Sequence, residues 1–269
     1  MKLSFKKLGK GPALIIVHGL YGSSDNWLTI AKELSNNFEV FIIDQRNHGN
    51  SPHASTHSYL DLKEDLLEFM NDQHIEKAIL IGHSMGGKTV MFFALDYPER
   101  VNSLLVVDIA PKNYSKISDY APQTIDHSSI VKAMQNFDLS PYKNRTDIDR
   151  KLAETITDKR IRQFLLKNLK RDENKQFIWK LNIKIISEYL SEIMDGIEED
   201  QYKDRKGNSS FPVLFIKGAK SNYISDDDHN IIRSFFPRAE ITTIPNAGHW
   251  VHSEQAKLLI KTIEYFVLD

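Results

Sequence analysis

The chain has 269 residues and no cysteine, and its 35 Lys and Arg residues nearly balance its 36 Asp and Glu residues. This length is long for one domain but fits a single large α/β domain. Balanced charge gives no reason to expect a nucleic-acid partner, and the lack of cysteine excludes disulfides and thiolate chemistry. No apolar run approaches the roughly 20 residues that span a bilayer, and the first residues do not resemble a signal sequence. We therefore expect a cytoplasmic protein without a metal, a cofactor or a stable membrane insertion.

Short apolar runs rich in β-branched residues predict six strands: Leu14–Val17, Val40–Ile43, Ala78–Ile81, Ser103–Val107, Val213–Ile216 and Glu240–Ile244. Most of these runs are apolar at consecutive positions, as in strands that are buried on both faces of a sheet. Helical patterns lie between them: Asp25–Leu34, Tyr59–Met70, Lys88–Leu95 and Ser253–Val267, the last with Ser253 as its N-cap. The alternation predicts a mostly parallel sheet flanked by helices.

The alternation stops between residues 112 and 206. Amphipathic helical patterns replace the strand-like runs there: Ile148–Ile156, Ile161–Leu169 and Ile183–Ile197. Residues 206–210 predict a loop that returns the chain to the sheet. We therefore predict an α/β core of residues 1–111 and 207–269, with a helical insertion at residues 112–206.

The motif Gly82-His83-Ser84-Met85-Gly86 carries the strongest chemical signal in the sequence. It is a G-x-S-x-G pentapeptide that follows a predicted strand and precedes a predicted helix, the context that a nucleophilic serine turn requires. Such a turn raises the Ser84 hydroxyl above the carboxyl edge of the sheet, where ligands bind in open α/β sheets. An ordinary glycine-rich turn would share the pentapeptide but not the partners that follow. We predict that Ser84 is the nucleophile of a serine hydrolase.

A serine hydroxyl needs a base that takes its proton, and in a G-x-S-x-G hydrolase this histidine comes last along the chain. His249 lies in a glycine-containing loop between the last predicted strand and the last predicted helix, which is the required position. His252, three residues later, is the second candidate and is expected in the first turn of that helix. Position in the chain therefore favours His249 as the general base and acid.

The acid that orients the histidine has two candidates. Asp108 follows the predicted strand that ends at Val107, where a carboxylate would be costly without a partner such as protonated His249. Asp226 follows the next predicted strand, as part of an acidic run at 226–228 that is more simply a solvated N-cap cluster. We favour Asp108 as the acid and keep Asp226 as the alternative.

Backbone N–H groups must stabilise the oxyanion of the tetrahedral intermediate. One donor is the residue after the nucleophile, Met85, and the other comes from the loop after the first predicted strand, where Leu20 is the candidate. We expect His18 to support that loop by hydrogen bonding. The polar loop at 44–52 is interpreted as a structural turn in which Gly49 supplies an unusual backbone angle.

Motifs along nearly the whole predicted core resemble the α/β-hydrolase superfamily: His18-Gly19, D-x-R-x-H-G-x-S at 44–51, G-H-S-M-G-G at 82–87 and Gly248-His249. Closer features are similar to the YbfF-type esterases, relatives of the mitochondrial abhydrolase-domain esterases: Arg46–Gly49, Val107–Pro111 and F-x-W-x-L-N-I at 177–183. The resemblance implies a helical cap over the site, inserted after the sixth strand of the fold. It also implies a triad acid after that strand, which matches Asp108, and a serine after the seventh strand, which matches Ser221.

The resemblance further implies hydrolysis of short acyl esters, with acyl-CoA thioesters as a further substrate class. The substrate would be a small molecule, and no cofactor or metal would be needed. Candidates for the substrate pocket are Phe177, Trp179, Trp250 and Ser221, although each aromatic residue could equally pack in the core. Two alternatives stay open. A lyase of the menaquinone-pathway type would use the same triad to abstract a proton, and a receptor-like binder would keep the triad but signal through its cap. The sequence leaves the oligomeric state open.

Overall fold

A seven-stranded sheet forms the centre of the computed structural model, which describes residues 1–115, 126–202 and 210–268. Its strands are β1 (Phe5–Leu8), β2 (Ala13–Val17), β3 (Glu39–Ile43), β4 (Ala78–His83), β5 (Val101–Val107), β8 (Val213–Gly218) and β9 (Glu240–Ile244). They lie in the order β1-β3-β2-β4-β5-β8-β9, and all neighbours are parallel except the antiparallel pair β1 and β3. The predicted α/β-hydrolase fold, a mostly parallel sheet flanked by helices, is confirmed.

Burial explains which strands the sequence could reveal. Strands β2 to β5 and β8 are largely buried on both faces, as their continuous apolar runs predict. Strand β9 is an edge strand and is half exposed. Strand β1 was not predicted, because it is short and carries two lysines.

Helices cover both faces of the sheet. On one face lie α1 (Leu28–Leu34), α10 (Val251–Glu254) and α11 (Ala256–Leu268); on the other lie α2 (Tyr59–Asp72), α3 (Met85–Asp96) and α9 (Asp228–Phe235). The predicted helix Asp25–Leu34 begins with a 3₁₀ turn at Ser24–Trp27. The predicted helix Ser253–Val267 is two helices that break at Gln255, so Ser253 lies inside α10 and is not an N-cap.

Short elements make up the described part of the chain between β5 and β8. They are α4 (His127–Gln135), α5 (Arg145–Leu152), α6 (Lys159–Leu166), β6 (Leu169–Arg171), β7 (Phe177–Trp179), α7 (Ile183–Glu188) and α8 (Leu190–Met194). The described part of this segment contains helices, as expected, together with an antiparallel hairpin of β6 and β7 that was not predicted. The predicted helix Ile183–Ile197 is two helices, and α4 was not predicted.

This segment follows β5, which is the fifth strand in the described residues, whereas the resemblance implies an insertion after a sixth strand. The predicted return loop at 206–210 lies outside the described residues, apart from Ser210. In the three described ranges, no helix combines the length and the apolar character that crossing a bilayer requires.

Candidate active site

Ser84 occupies a strained turn between β4 and α3. Its φ of 52° and ψ of −121° lie outside the common backbone regions. Two glycines make the turn possible: a Cβ on Gly82 would lie 2.3 Å from the carbonyl oxygen of Gly86, and one on Gly86 would lie 2.3 Å from that of Val17. The tight packing of backbone on backbone therefore fixes where the Ser84 hydroxyl points.

The structure brings Ser84, His249 and Asp108 together, although they are far apart in the chain. Nε2 of His249 lies 3.0 Å from Oγ of Ser84, and Nδ1 of His249 lies 2.8 Å from Oδ2 of Asp108. Because a carboxylate can only accept, Nδ1 carries the proton and the unprotonated Nε2 faces the hydroxyl. This is the arrangement in which imidazole can take a proton from serine while the carboxylate orients the ring.

The carboxylate of Asp108 is fully buried at the end of β5, and its backbone has a φ of 54°. It accepts hydrogen bonds from the Gly218 N–H at 2.8 Å and from the Ser221 hydroxyl, in addition to His249. These donors compensate for the burial of its charge. Ser221 therefore contacts Asp108, and it lines neither of the two cavities that lie beside Ser84.

Asp226, the alternative acid, is exposed and forms an ion pair with Lys217 at 3.1 Å. Hydrogen bonding to Lys217 lowers the pKa of the Asp226 carboxyl. The interpretation of residues 226–228 as a solvated N-cap cluster is wrong in part. Asp227 occupies the N-cap of α9 without a side-chain capping bond, and Asp228 is buried and pairs with Lys112 at 2.6 Å.

His252, the alternative base, lies in α10 as expected, but its ring stacks on Trp27 with the ring centroids 4.8 Å apart. Burial lowers the pKa of His252 to about 3. Another histidine, His83, contacts the carbonyl oxygen of His249 at 2.8 Å through Nε2, which must therefore donate. The His83 ring thus holds the loop that carries His249.

The loop after β2 brings Leu20 beside Ser84 and Met85, where all three line one cavity. His18 supports this loop as expected: its Nε2 accepts from the Gln45 N–H at 3.0 Å, while the Gln45 amide donates to the His18 carbonyl oxygen. Tyr21 has a φ of 60°, and its N–H donates to Nε2 of His48. Burial lowers the pKa of both His18 and His48, so both rings are neutral supports.

The polar loop at 44–52 is a structural turn, as predicted. The Asp44 carboxylate accepts from the N–H groups of Ser24 and Asn50, and Gly49 has a φ of 58°. The loop also has a contact that the sequence did not predict, since the Asn47 carbonyl oxygen accepts from the Asn182 N–H at 3.0 Å. This pair joins the core to the segment between β5 and β8.

Two cavities meet at Ser84. The first, called the outer cavity, is lined by His249 and by the apolar side chains of Ile161, Phe164 and Trp250, among others. The second, called the inner cavity, lies on the side of Met85 and is lined mainly by tyrosines, methionines and isoleucines. Leu20, Ser84 and His127 line both cavities.

The structure separates the four predicted pocket residues. Trp250 lines the outer cavity and contacts Phe164 with ring centroids 5.7 Å apart. Phe177 and Trp179 line neither of these cavities, because β7 places them at the hairpin, where the Arg171 guanidinium covers the Phe177 ring at 4.2 Å.

Sequence reasoning missed two further residues near Ser84. Tyr223 stacks on His249 with ring centroids 3.7 Å apart, and its hydroxyl lies 3.3 Å from Nε2 of His127. Neither stands in a recognisable motif, so only the fold reveals them. Within the described residues, no group of three or more His, Asp or Glu side chains is arranged to hold a metal ion.

The chain belongs to the family described as alpha/beta hydrolase fold, which matches residues 12–256. It is 34% identical over 259 residues to the sn-1-specific diacylglycerol lipase ABHD11 of Mus musculus, covering 95% of this chain and 81% of that protein. It is 31% identical over 256 residues to Esterase YbfF of Escherichia coli (strain K12), covering 95% and 93%. A solved structure of a marine microorganism esterase has a TM-score of 0.93 at 44% identity, covering 99% of each chain.

These relatives confirm the resemblance to YbfF-type esterases and define the class of the protein. It is a hydrolase of the carboxylesterase type.

Proposed function

We propose that the protein hydrolyses small acyl esters through an acyl-enzyme on Ser84, with His249 as general base and acid and Asp108 as the orienting carboxylate. The hydrogen-bonded series Asp108–His249–Ser84, at 2.8 and 3.0 Å, is the observation that carries the proposal. Asp226 pairs with Lys217 in solvent and gives no competing arrangement.

The reaction follows the geometry in two halves. Oγ of Ser84 attacks the ester carbonyl while Nε2 of His249 takes its proton, and the N–H groups of Leu20 and Met85 stabilise the oxyanion. The protonated His249 then donates to the leaving alkoxide, which leaves an ester on Ser84. Water attacks this ester with His249 as base, and the carboxylic acid departs as the proton returns to Ser84.

The substrate class follows from the lining of the two cavities, which is mainly apolar and aromatic. We propose residues 112–206 as the cap that supplies much of this lining, over a core of residues 1–111 and 207–269. The mouse relative is named for a diacylglycerol lipase, and an ester of comparable chemistry is a substrate to test. Acyl-CoA thioesters and a cytoplasmic location stay as predictions.

A substrate panel tests the proposal. We expect wild type to turn over p-nitrophenyl esters repeatedly, Ser84→Ala to lose this activity, and Ser253→Ala, a change at an exposed serine, to keep it. Acyl-CoAs in the same panel decide between ester and thioester preference. Full activity in Ser84→Ala would contradict the proposal, and a failure of wild type to turn over any ester would favour the receptor-like alternative.

A further inference from the structure

The two cavities beside Ser84 have different chemical surroundings. His249, which must protonate the leaving group, lines the outer cavity. Met85, a proposed oxyanion donor, lines the inner one, whereas Leu20 and Ser84 line both. An ester whose leaving group lies beside His249 in the outer cavity would have its acyl chain in the inner cavity.

A lysine contributes to the wall of this otherwise largely apolar inner cavity. Lys88 is 1% exposed and stands one turn after Ser84 on α3, where its N–H donates to the Ser84 carbonyl oxygen. Residues four apart on a helix lie on the same face. Lys88 therefore lies on the same side of α3 as Ser84, and both residues line the inner cavity.

The ammonium group of Lys88 is buried, and a buried charge requires a counter-ion. Its Nζ donates to the carbonyl oxygens of Asp195 and of Met194, the latter at 3.4 Å, and lies 4.8 Å from the centre of the Tyr114 ring. The Asp195 carboxylate is engaged elsewhere, by Asn113 and the Gly196 N–H. Among the described residues, no carboxylate comes within ion-pair distance of Lys88.

Another buried lysine shows what such a group ordinarily has. Lys63 is 8% exposed and pairs directly with the carboxylate of Asp96. Burial lowers the pKa of Lys88 to about 7, and the charge of Asp195 opposes this shift only in part. An ammonium group has three donors, and two of those on Lys88 are engaged with carbonyl oxygens.

We propose that the inner cavity binds acyl chains that end in a carboxylate, and that Lys88 selects them. The preferred substrates would then be alkyl monoesters of short dicarboxylic acids. The inference rests on the proposed ester hydrolysis at Ser84 and names the acyl group that this site takes. The bound carboxylate accepts the third N–H of Lys88 and supplies a counter-ion at a side chain that is 1% exposed, where such an interaction is stronger than in water.

A pair of substrates of matched shape tests the inference. Monomethyl succinate and methyl 4-methylpentanoate share the methanol leaving group and differ in whether the acyl chain ends in a carboxylate or an isopropyl group. We expect the wild-type kcat/KM, followed by titration of the released acid, to be about tenfold or more higher for the monoester, as for a hydrogen bond to a charged group. Lys88→Met should remove this preference, and Lys63→Met should keep it.

The ratio of the two kcat/KM values is the readout, since a general loss from a displaced cap lowers both. If Lys88→Met does not fold, inhibition of wild type by the two free acids replaces it, and succinate should inhibit at the lower concentration. A wild type that favours the neutral ester, or a Lys88→Met variant that keeps the preference, overturns the inference while leaving ester hydrolysis intact. Hydrolysis of neither ester, nor of any in the p-nitrophenyl panel, would overturn both.

Discussion

The two sides of the candidate site are built in different ways. On the core side, Ser84 and Asp108 stand at the ends of buried strands, in backbone conformations that their surroundings enforce. On the other side, α4, α6 and α8 are helices of five to nine residues, in a segment that contacts such as Asn47 with Asn182 join to the core. In the proposed mechanism the core therefore fixes the reacting groups, whereas the segment between β5 and β8 shapes the space for substrate.

The largest expected effect on activity is that of a substitution at Asp108. Asp108→Asn keeps the shape of the side chain but removes the charge that stabilises protonated His249, so kcat should fall by about 10³–10⁴-fold. Asp226→Asn, at the exposed alternative, should leave kcat unchanged. Steady-state kinetics on an ester measures both, and a large loss in Asp226→Asn alone would move the acid to the other loop.

The next largest effect concerns the backbone that holds Ser84. Gly86→Ala places a methyl group against the Val17 carbonyl oxygen, so the free energy of unfolding should fall by about 3 kcal/mol, the upper range for overpacking. Gly248→Ala is the control, because its nearest neighbour is a Glu254 side-chain oxygen at 3.4 Å. Urea denaturation of both variants measures the difference. Equal stabilities would show that the turn is less rigid than its packing indicates.

The stability of the protein should depend on pH through a buried histidine outside the proposed triad, His57. Burial lowers the pKa of His57 to about 3, against about 6.5 in an unfolded chain. The unfolded state therefore binds more protons between these values, so stability is full above about pH 6.5 and is lost as the pH falls towards 3. By this linkage His57 alone should cost about 2 kcal/mol between pH 7.5 and 5.

Denaturation of wild type and His57→Gln at the two pH values checks this prediction. The variant should lose less stability than wild type on acidification, because glutamine does not titrate. The same loss in both proteins would assign the acid sensitivity to other groups.

The smallest effect is expected on the outer-cavity side of the site. Trp250→Ala should lower kcat/KM by about tenfold for esters with bulky leaving groups, the scale of a few lost apolar contacts. Trp179→Ala should not, because Trp179 lies outside the cavities described beside Ser84. Leaving-group series on both variants provide the measurement, and equal responses would mean that Trp250 contributes no specific contact.

The sequence predicted the parts of the molecule that local patterns determine. Strands β2 to β5 and β8 have continuous apolar runs, and Ser84, His249 and Asp108 occupy recognisable positions after strands. Strand β1 and the β6–β7 hairpin were missed, because they are short and partly polar. The contacts of Ser221 with Asp108 and of Tyr223 with His127 were also missed, because they join residues about 100 positions apart. The stacking of Tyr223 on His249 was missed as well. Long-range packing leaves no local signal.

Trapping the acyl-enzyme tests the central claim most directly. Wild type is mixed with a p-nitrophenyl ester, quenched in acid within the first turnovers, digested and mapped by mass spectrometry. We expect the acyl mass on the peptide that contains Ser84, with no such adduct in Ser84→Ala. Rapid turnover with Ser84 unmodified, as for a proton-abstracting lyase, or an adduct on another residue, would contradict it.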